Sequence, residues 1–154
     1  MSKVEYCDFS AIAPADFLPL LNSDKNREHL IAHEKFDASK AAAWMANKLE
    51  MNGYTGCRIR AIYKNKTLAG WCGIQFDDGK YELAIVLDSG FWGLGRTVFN
   101  DMMRWARELN HDEIYIHFLH TRPEYQFLKK MAKTVYQTEL MGSCFTTYQL
   151  AVPD

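Results

Sequence analysis

Glu82-Leu83-Ala84-Ile85-Val86-Leu87-Asp88-Ser89-Gly90-Phe91-Trp92-Gly93-Leu94-Gly95-Arg96-Thr97 reads as an apolar strand that ends in glycines and passes into a helix. The helix is expected over residues 97–109, where Val98, Met102, Trp105 and Leu109 recur at helical spacing and Met103 and Ala106 widen the stripe. Such a junction aims free backbone N–H groups and the positive end of a helix dipole at one point. That is an anion site, most often for phosphate. Glycine at 93 and 95 lets the backbone approach phosphate oxygens with no Cβ between them. A dinucleotide fingerprint would need glycine or alanine where Val98 stands, and the G-K-[ST] of a triphosphate loop is absent. By glycine spacing alone, a plain strand-to-helix turn is an equally good reading.

Working outward, residues 81–87 are almost wholly apolar after Glu82, as in a central strand covered on both faces. Asp77-Asp78-Gly79-Lys80 is a hairpin turn, since Asp and Gly accept positive φ. It joins this strand to one over 68–76, and residues 57–63 alternate as the strand before that. Upstream, 38–51 is a helix with Asp37 as its cap and Ala41, Trp44, Met45, Lys48 and Leu49 on one side. Residues 14–21 form a short helix, and 22–37 a short helix or ordered loop. Downstream, 113–119 is a strand, Pro123 opens a helix reaching about Ala132, and 135–138 and 144–150 are the last strands. An antiparallel meander feeding a strand-helix-strand unit needs one parallel neighbour. The fold expected is α+β, a mixed, mostly antiparallel sheet of about six or seven strands flanked by helices, in one domain over 1–154.

The chain has 154 residues, enough to bury a core without staples. A net charge of −1 argues against a protein built to grip nucleic acid. Cys7, Cys57, Cys72 and Cys144 form no C-x-x-C pair, so neither a zinc framework nor a disulfide scaffold is suggested. Reduced, mostly buried thiols in a cytoplasmic protein are the expectation. No stretch approaches the ~20 apolar residues of a membrane span. His29 and His33 stand four apart with no third ligand beside them, so no metal site is expected. His117 is read as a buried, hydrogen-bonded histidine, and His120 as a weak candidate at the strand end.

Placed in this order of elements, the loop resembles that of the Gcn5-related N-acetyltransferase (GNAT) superfamily, whose signature Q/R-x-x-G-x-G/A follows the fourth strand. Trp92-Gly93-Leu94-Gly95-Arg96-Thr97 occupies it here. The wider run from Glu82 to Gly95 is similar to the branch that acetylates ribosomal-protein N-termini and its relatives, which carry an E-I-G-Y-x-L-D-P-x-Y-W-G-K-G-like stretch. The likeness spans about 57–150 in element order and about 82–99 in letters. Trp92 replaces the usual Gln/Arg, and Thr97 the final Gly/Ala. Downstream, Thr121 stands at the family's asparagine, Glu124 at its small residue and Leu128 at its tyrosine.

The resemblance implies acetyl-CoA as cofactor and transfer to a primary amine of a small molecule or peptide N-terminus. It implies pyrophosphate held by main-chain N–H groups of Trp92, Leu94, Gly95, Thr97 and Val98 around Gly93, with pantetheine lying along Val86-Leu87-Asp88. Arg96 either meets a coenzyme phosphate or faces solvent; Trp92 either touches cofactor or covers the loop. Glu82 is the candidate base. It lies five residues before Leu87 at about 3.3 Å per residue, the reach of a pantetheine arm. The alternative is a solvated glutamate after a turn. An N–H near Val86 or Leu87 would polarise the thioester carbonyl. Water, Tyr125 or Thr121 would return a proton to the thiolate. The acceptor would be shaped by the first helices, residues 24–37 and the last strands. Dimers are common among proteins of this kind, and residues 144–150 are the edge offered for a homodimer. The competing reading is a non-catalytic acyl-CoA-binding sensor or assembly module of the same fold.

Overall fold

The computed structural model describes residues 4–23, 35–77, 79–119, 126–140 and 142–153. Its element order is β1 (Val4–Cys7), α1 (Leu18–Leu21), α2 (Ala38–Asn52), β2 (Arg58–Lys64), β3 (Thr67–Asp77), β4 (Lys80–Leu87), α3 (Gly95–Glu108), β5 (Glu113–Leu119), α4 (Gln126–Met131), β6 (Ala132–Leu140) and β7 (Ser143–Ala151). Short 3₁₀ turns cover Phe9–Ala11, Pro14–Phe17 and Ser89–Leu94. The strands form one seven-stranded sheet in the order β1-β2-β3-β4-β5-β7-β6. Only β4 and β5 run parallel; every other neighbouring pair is antiparallel.

Local chemistry explains the elements. The Asp37 carboxylate accepts from the Lys40 amide, closing the first turn of α2. Asn65 and Lys66 take positive φ in the β2–β3 turn, as does Gly79 between β3 and β4. The pair β3–β4 is zipped from Gly70↔Leu87 to Asp77↔Lys80. Gly70 is obligatory there, because a Cβ would stand 2.0 Å from the Val86 carbonyl oxygen.

Each sheet face has its own core. Val98, Phe99, Met102, Met103, Trp105 and Ala106 bury one side of α3 against Cys72, Ile74, Leu83, Leu87, Ile114, Ile116, Tyr148 and Leu150. Each large side chain so buried contributes roughly 1.5–3 kcal/mol. On the other face Phe9, Phe17, Met45, Ile59, Ala61 and Trp71 meet under α2. Phe17, Trp44 and Trp71 stack edge to face in series, with ring centroids 5.2 and 5.6 Å apart.

Several expectations change. The strand β1 was not expected; its four residues, Val-Glu-Tyr-Cys, are too few for a period to register. The Tyr6 hydroxyl ties it to α3, donating to Asp101 Oδ2 at 2.5 Å. Residues 14–21 are a 3₁₀ turn followed by one α turn. β6 starts at Ala132 rather than 135, because it pairs with β7 from Ala132↔Leu150 onward. The edge assigned to 144–150 is corrected: β7 lies between β5 and β6, so both of its sides are hydrogen-bonded, and β6 and β1 are the edges. The thiols are also more exposed than expected: Cys57 and Cys72 are buried, Cys7 is half-buried and Cys144 is exposed. β4 is not covered evenly on both faces. Leu83 and Leu87 are buried, whereas Ala84, Ile85 and Val86 are only half-buried. The reason is an opening in the sheet. Among the described residues no helix is long and apolar enough to cross a membrane, and no cluster of His, Cys, Asp or Glu is placed to hold a metal.

Candidate functional site

The opening follows from register. β4 and β5 pair only at Glu82↔Tyr115 and Leu83↔Ile116. Among the described residues, β4 continues four residues further, to Leu87, with no strand on that side, and β5 continues to Leu119 paired with β7 alone. The two parallel strands therefore part into a cleft whose floor is Glu82–Leu83 and whose mouth is the turn into α3.

Strand geometry decides which groups of β4 face this cleft. The Asp88 amide donates to the Ala69 carbonyl at 2.8 Å, and the Val86 carbonyl points at Gly70, so even-numbered residues spend their main-chain groups on β3. By alternation the amides and carbonyls of Ile85 and Leu87 face the cleft. The stretch Val86-Leu87-Asp88 thus supplies Leu87 alone, and Ile85 joins it. Leu87 is not wholly free either: its carbonyl accepts from the Trp92 indole N–H at 2.9 Å. Trp92, 47% exposed, is folded over the end of β4. Asp88 caps the following turn, its carboxylate accepting from the Ser89 amide at 2.9 Å.

The glycine segment is more regular than a loop. Ser89–Leu94 is a 3₁₀ turn running directly into α3. Its hydrogen bonds use the Phe91 amide, which donates to Asp88, and the Gly95 amide, which donates to Trp92. The Gly95 amide expected to be free is therefore engaged, because helical backbone begins at Ser89 rather than at Thr97. Among the described residues no side chain caps α3, whose first turn, with the amides of Arg96 and Thr97, directly continues the 3₁₀ turn before it. A Cβ on Gly90 or Gly93 would meet nothing within 4 Å, and one on Gly95 only Leu87 Cδ1 at 4.0 Å, so this backbone is open on its outer side. The Arg96 guanidinium lies 4.5 Å from the Phe127 ring centroid of α4. Val98 turns its side chain into the core, so only its main chain is available. Leu128, at the family's tyrosine position, is also core, 1% exposed. Thr121, Glu124, Tyr125, His120, His29 and His33 lie outside the described residues.

On the cleft floor the sequence expectation meets a side-chain network. Along β4, Glu82, Ala84 and Val86 face α2, while Leu83, Ile85 and Leu87 face α3. Glu82 Oε2 lies 3.1 Å from His117 Nε2 on β5. His117 Nδ1 lies 2.7 Å from Thr147 Oγ1 on β7, and Thr147 Oγ1 lies 2.7 Å from Thr138 Oγ1 on β6. One assignment satisfies the whole line: Thr138 donates to Thr147, Thr147 to Nδ1, and Nε2–H to the carboxylate. On the other side of Glu82, its register partner Gln75 accepts a hydrogen bond from Lys48 Nζ of α2. The Lys48 ammonium sits 4.7 Å from the Trp71 ring centroid. Burial lowers the Lys48 pKa, and the charge of Glu82 works in the opposite direction.

Only Glu82 of this line was singled out as functional from sequence. His117, expected to be buried and hydrogen-bonded, is hydrogen-bonded but only half-buried, and its partner across the parallel seam is not visible in the sequence. Lys48 was counted among the apolar side of its helix; a lysine at that position was the available signal. Nothing in the letters marked Gln75, Thr138 or Thr147.

The same fold occurs in solved acetyltransferases. One from Salmonella typhimurium, which modifies the N-terminal serine of 50S ribosomal protein L7/L12, superposes with a TM-score of 0.70 at 13% identity over 99% of this chain and 95% of its own. The microcin C7 self-immunity acetyltransferase, solved with acetyl-CoA and AMP, gives 0.71 at 13% identity over 98% and 92%. A GNAT-family acetyltransferase of Streptococcus pneumoniae gives 0.66 at 11% identity over 98% and 100%. No family profile and no curated protein sequence matches the chain. What these structures share with it is the fold.

Proposed function

We propose that the chain puts this acetyltransferase fold to its usual work, transferring an acetyl group from acetyl-CoA to the primary amine of a small molecule or peptide. The observation that carries the proposal is the pairing of β4 and β5 over Glu82–Leu83 alone, which leaves a cleft with a carboxylate on its floor and the start of α3 at its mouth. The groups present suit coenzyme A. The Arg96 and Thr97 amides, with the open backbone at Gly93 and Gly95, would hold the pyrophosphate. The cleft-facing groups of Ile85 and Leu87 would pair with the pantetheine amides. Acetyl-CoA supplies an activated acyl carbon.

The residues of the chain then have defined tasks. An amine arrives mostly protonated at neutral pH and must lose a proton to act as nucleophile. Glu82 accepts it. The Nε2–H of His117 fixes the carboxylate in place, and Thr147 fixes the ring by donating to Nδ1. The amide of Ile85 or Leu87 offers a donor to oxygen charge developing on the acyl carbonyl. Nucleophilic attack forms the C–N bond, the C–S bond breaks, and the thiolate takes a proton from solvent.

The L7/L12-modifying neighbour acts on a protein N-terminus, which supports an α-amine among the acceptors. The test is thiol release from acetyl-CoA over a panel of small amines and short peptides. Turnover on at least one of them is expected. Tight acetyl-CoA binding with no turnover on any would assign the fold to a binding module instead.

A further inference from the structure

Lys48 occupies a position where a helix normally buries an apolar residue. It follows Met45 and Trp44 on the inner face of α2 and projects onto β3. Among the described residues its ammonium meets the Gln75 side-chain carbonyl and the Trp71 ring, both neutral. Among the described residues no carboxylate lies within 4.0 Å of it. Three N–H donors are present, and Gln75 takes one. Lys48 is half-buried, and a cation that loses part of its hydration gains from a counter-charge. Glu82 is close enough for its charge to be felt at Lys48 but binds His117 instead.

On the face of the sheet under α2, Glu82 at the cleft floor and Lys48 over the neighbouring strand β3 are thus two opposite charges that sense each other without pairing. That arrangement is complementary to a ligand with the reverse polarity, an ammonium for Glu82 and a carboxylate for Lys48. Such a ligand adds no net charge to the cleft, whereas a simple amine entering as its cation adds one. We propose that Lys48 receives a carboxylate carried next to the reactive amine, so that the acceptor is an amino acid. A peptide N-terminus offers only a neutral carbonyl at that point. The inference rests on the transferase reading above and narrows it.

The experiment compares each common α-amino acid with its own carboxamide as acceptor, in the wild type, Lys48→Met and Lys48→Arg, by thiol release. At least one acid is expected to exceed its amide by ten-fold or more in kcat/KM, mainly through KM. Lys48→Met erases that preference while leaving acetyl-CoA affinity, read by calorimetry, unchanged; Lys48→Arg keeps part of it. Acetylation of amides as fast as acids, or an acid preference that survives Lys48→Met, overturns the role of Lys48 and leaves the transferase reading standing. Acetyl-CoA binding with no transfer to either series or to any amine of the wider panel overturns both. A loss in Lys48→Met equal for acids and amides, with Lys48→Arg equally impaired, assigns the lysine to structure alone.

Discussion

Two adjacent seams of one sheet are built in opposite ways. Between β5 and β7 every residue from Glu113 to Leu119 has a partner, from Ala151 to Phe145. Between β4 and β5 two residues pair and the strands then part. The zipped seam satisfies its main-chain groups internally and offers nothing to a ligand. Beyond Leu83 the open seam leaves the cleft-side main-chain groups of β4 without a strand partner, available to water or a ligand, apart from the Leu87 carbonyl, which Trp92 engages. The two are joined by side chains, because the His117–Thr147 contact crosses the zipped seam and its far end holds Glu82 at the floor of the open one. The closed half of the sheet is in effect the mounting for the open half.

The largest effects are expected in the open seam. Glu82→Gln keeps the shape of the floor and removes the base, so kcat should fall by roughly 10²–10⁴ with acetyl-CoA affinity and thermal midpoint unaltered. Unchanged turnover would remove Glu82 as base. Gly95→Val places branched carbons on the outer side of the α3 start, where the structure has room for them. Folding should survive, at a cost within about 1 kcal/mol. Acetyl-CoA affinity should fall about a hundred-fold, the equivalent of losing one or two charge-assisted N–H bonds. Calorimetry with undiminished affinity would dissociate the coenzyme from this turn.

How much of this was legible in the letters follows from the same contrast. The meander, the strand-turn-helix junction and the helix α2 with its Asp37 cap were readable, because each is specified by local periodicity and turn chemistry. Glu82 stood out as a charge opening an apolar strand. Its partner His117 is 35 positions away, and their meeting depends on which strands lie side by side, which no local pattern encodes. The same holds for Thr147, whose hydroxyl is fully buried two strands from β4. The Gly95 amide was misjudged for a subtler reason. Glycines suggested an extended loop, whereas Ser89–Leu94 closes a 3₁₀ turn with Asp88 as cap and consumes amides that a loop would leave free.

Intermediate effects should come from the zipped seam. Thr147→Val conserves volume and deletes the hydroxyl that serves both His117 and Thr138. A buried polar group left unsatisfied costs about 1–3 kcal/mol, measurable by urea unfolding. If the closed half mounts the open half, the pH profile of kcat should also shift, since His117 is then free to rotate away from Glu82. A loss of stability with the profile unmoved would reduce the two seams to independent structures.

The smallest expected effect is one of sign and concerns the charge on the far side of Glu82. Burial makes the folded chain hold the Lys48 proton less tightly than the unfolded chain does. Between the lowered folded value and the ordinary lysine value the unfolded state binds more protons, so stability contributed at this site rises with pH through that window. Below it both states are protonated and the full cost of the buried cation is present. Burial pushes the pKa values of Tyr6 and Cys72 up, which acts in the opposite direction at alkaline pH, but these groups are common to both chains in a comparison of wild type with Lys48→Met. The wild type should therefore gain on the variant as pH rises from neutral towards 10.5, read as the difference between their urea-unfolding free energies. A flat difference would mean that the ammonium is hydrated in solution. The cleft floor would then carry one charge, the Glu82 carboxylate, and the open seam would have no built-in preference for an acceptor of either polarity beyond the amine itself.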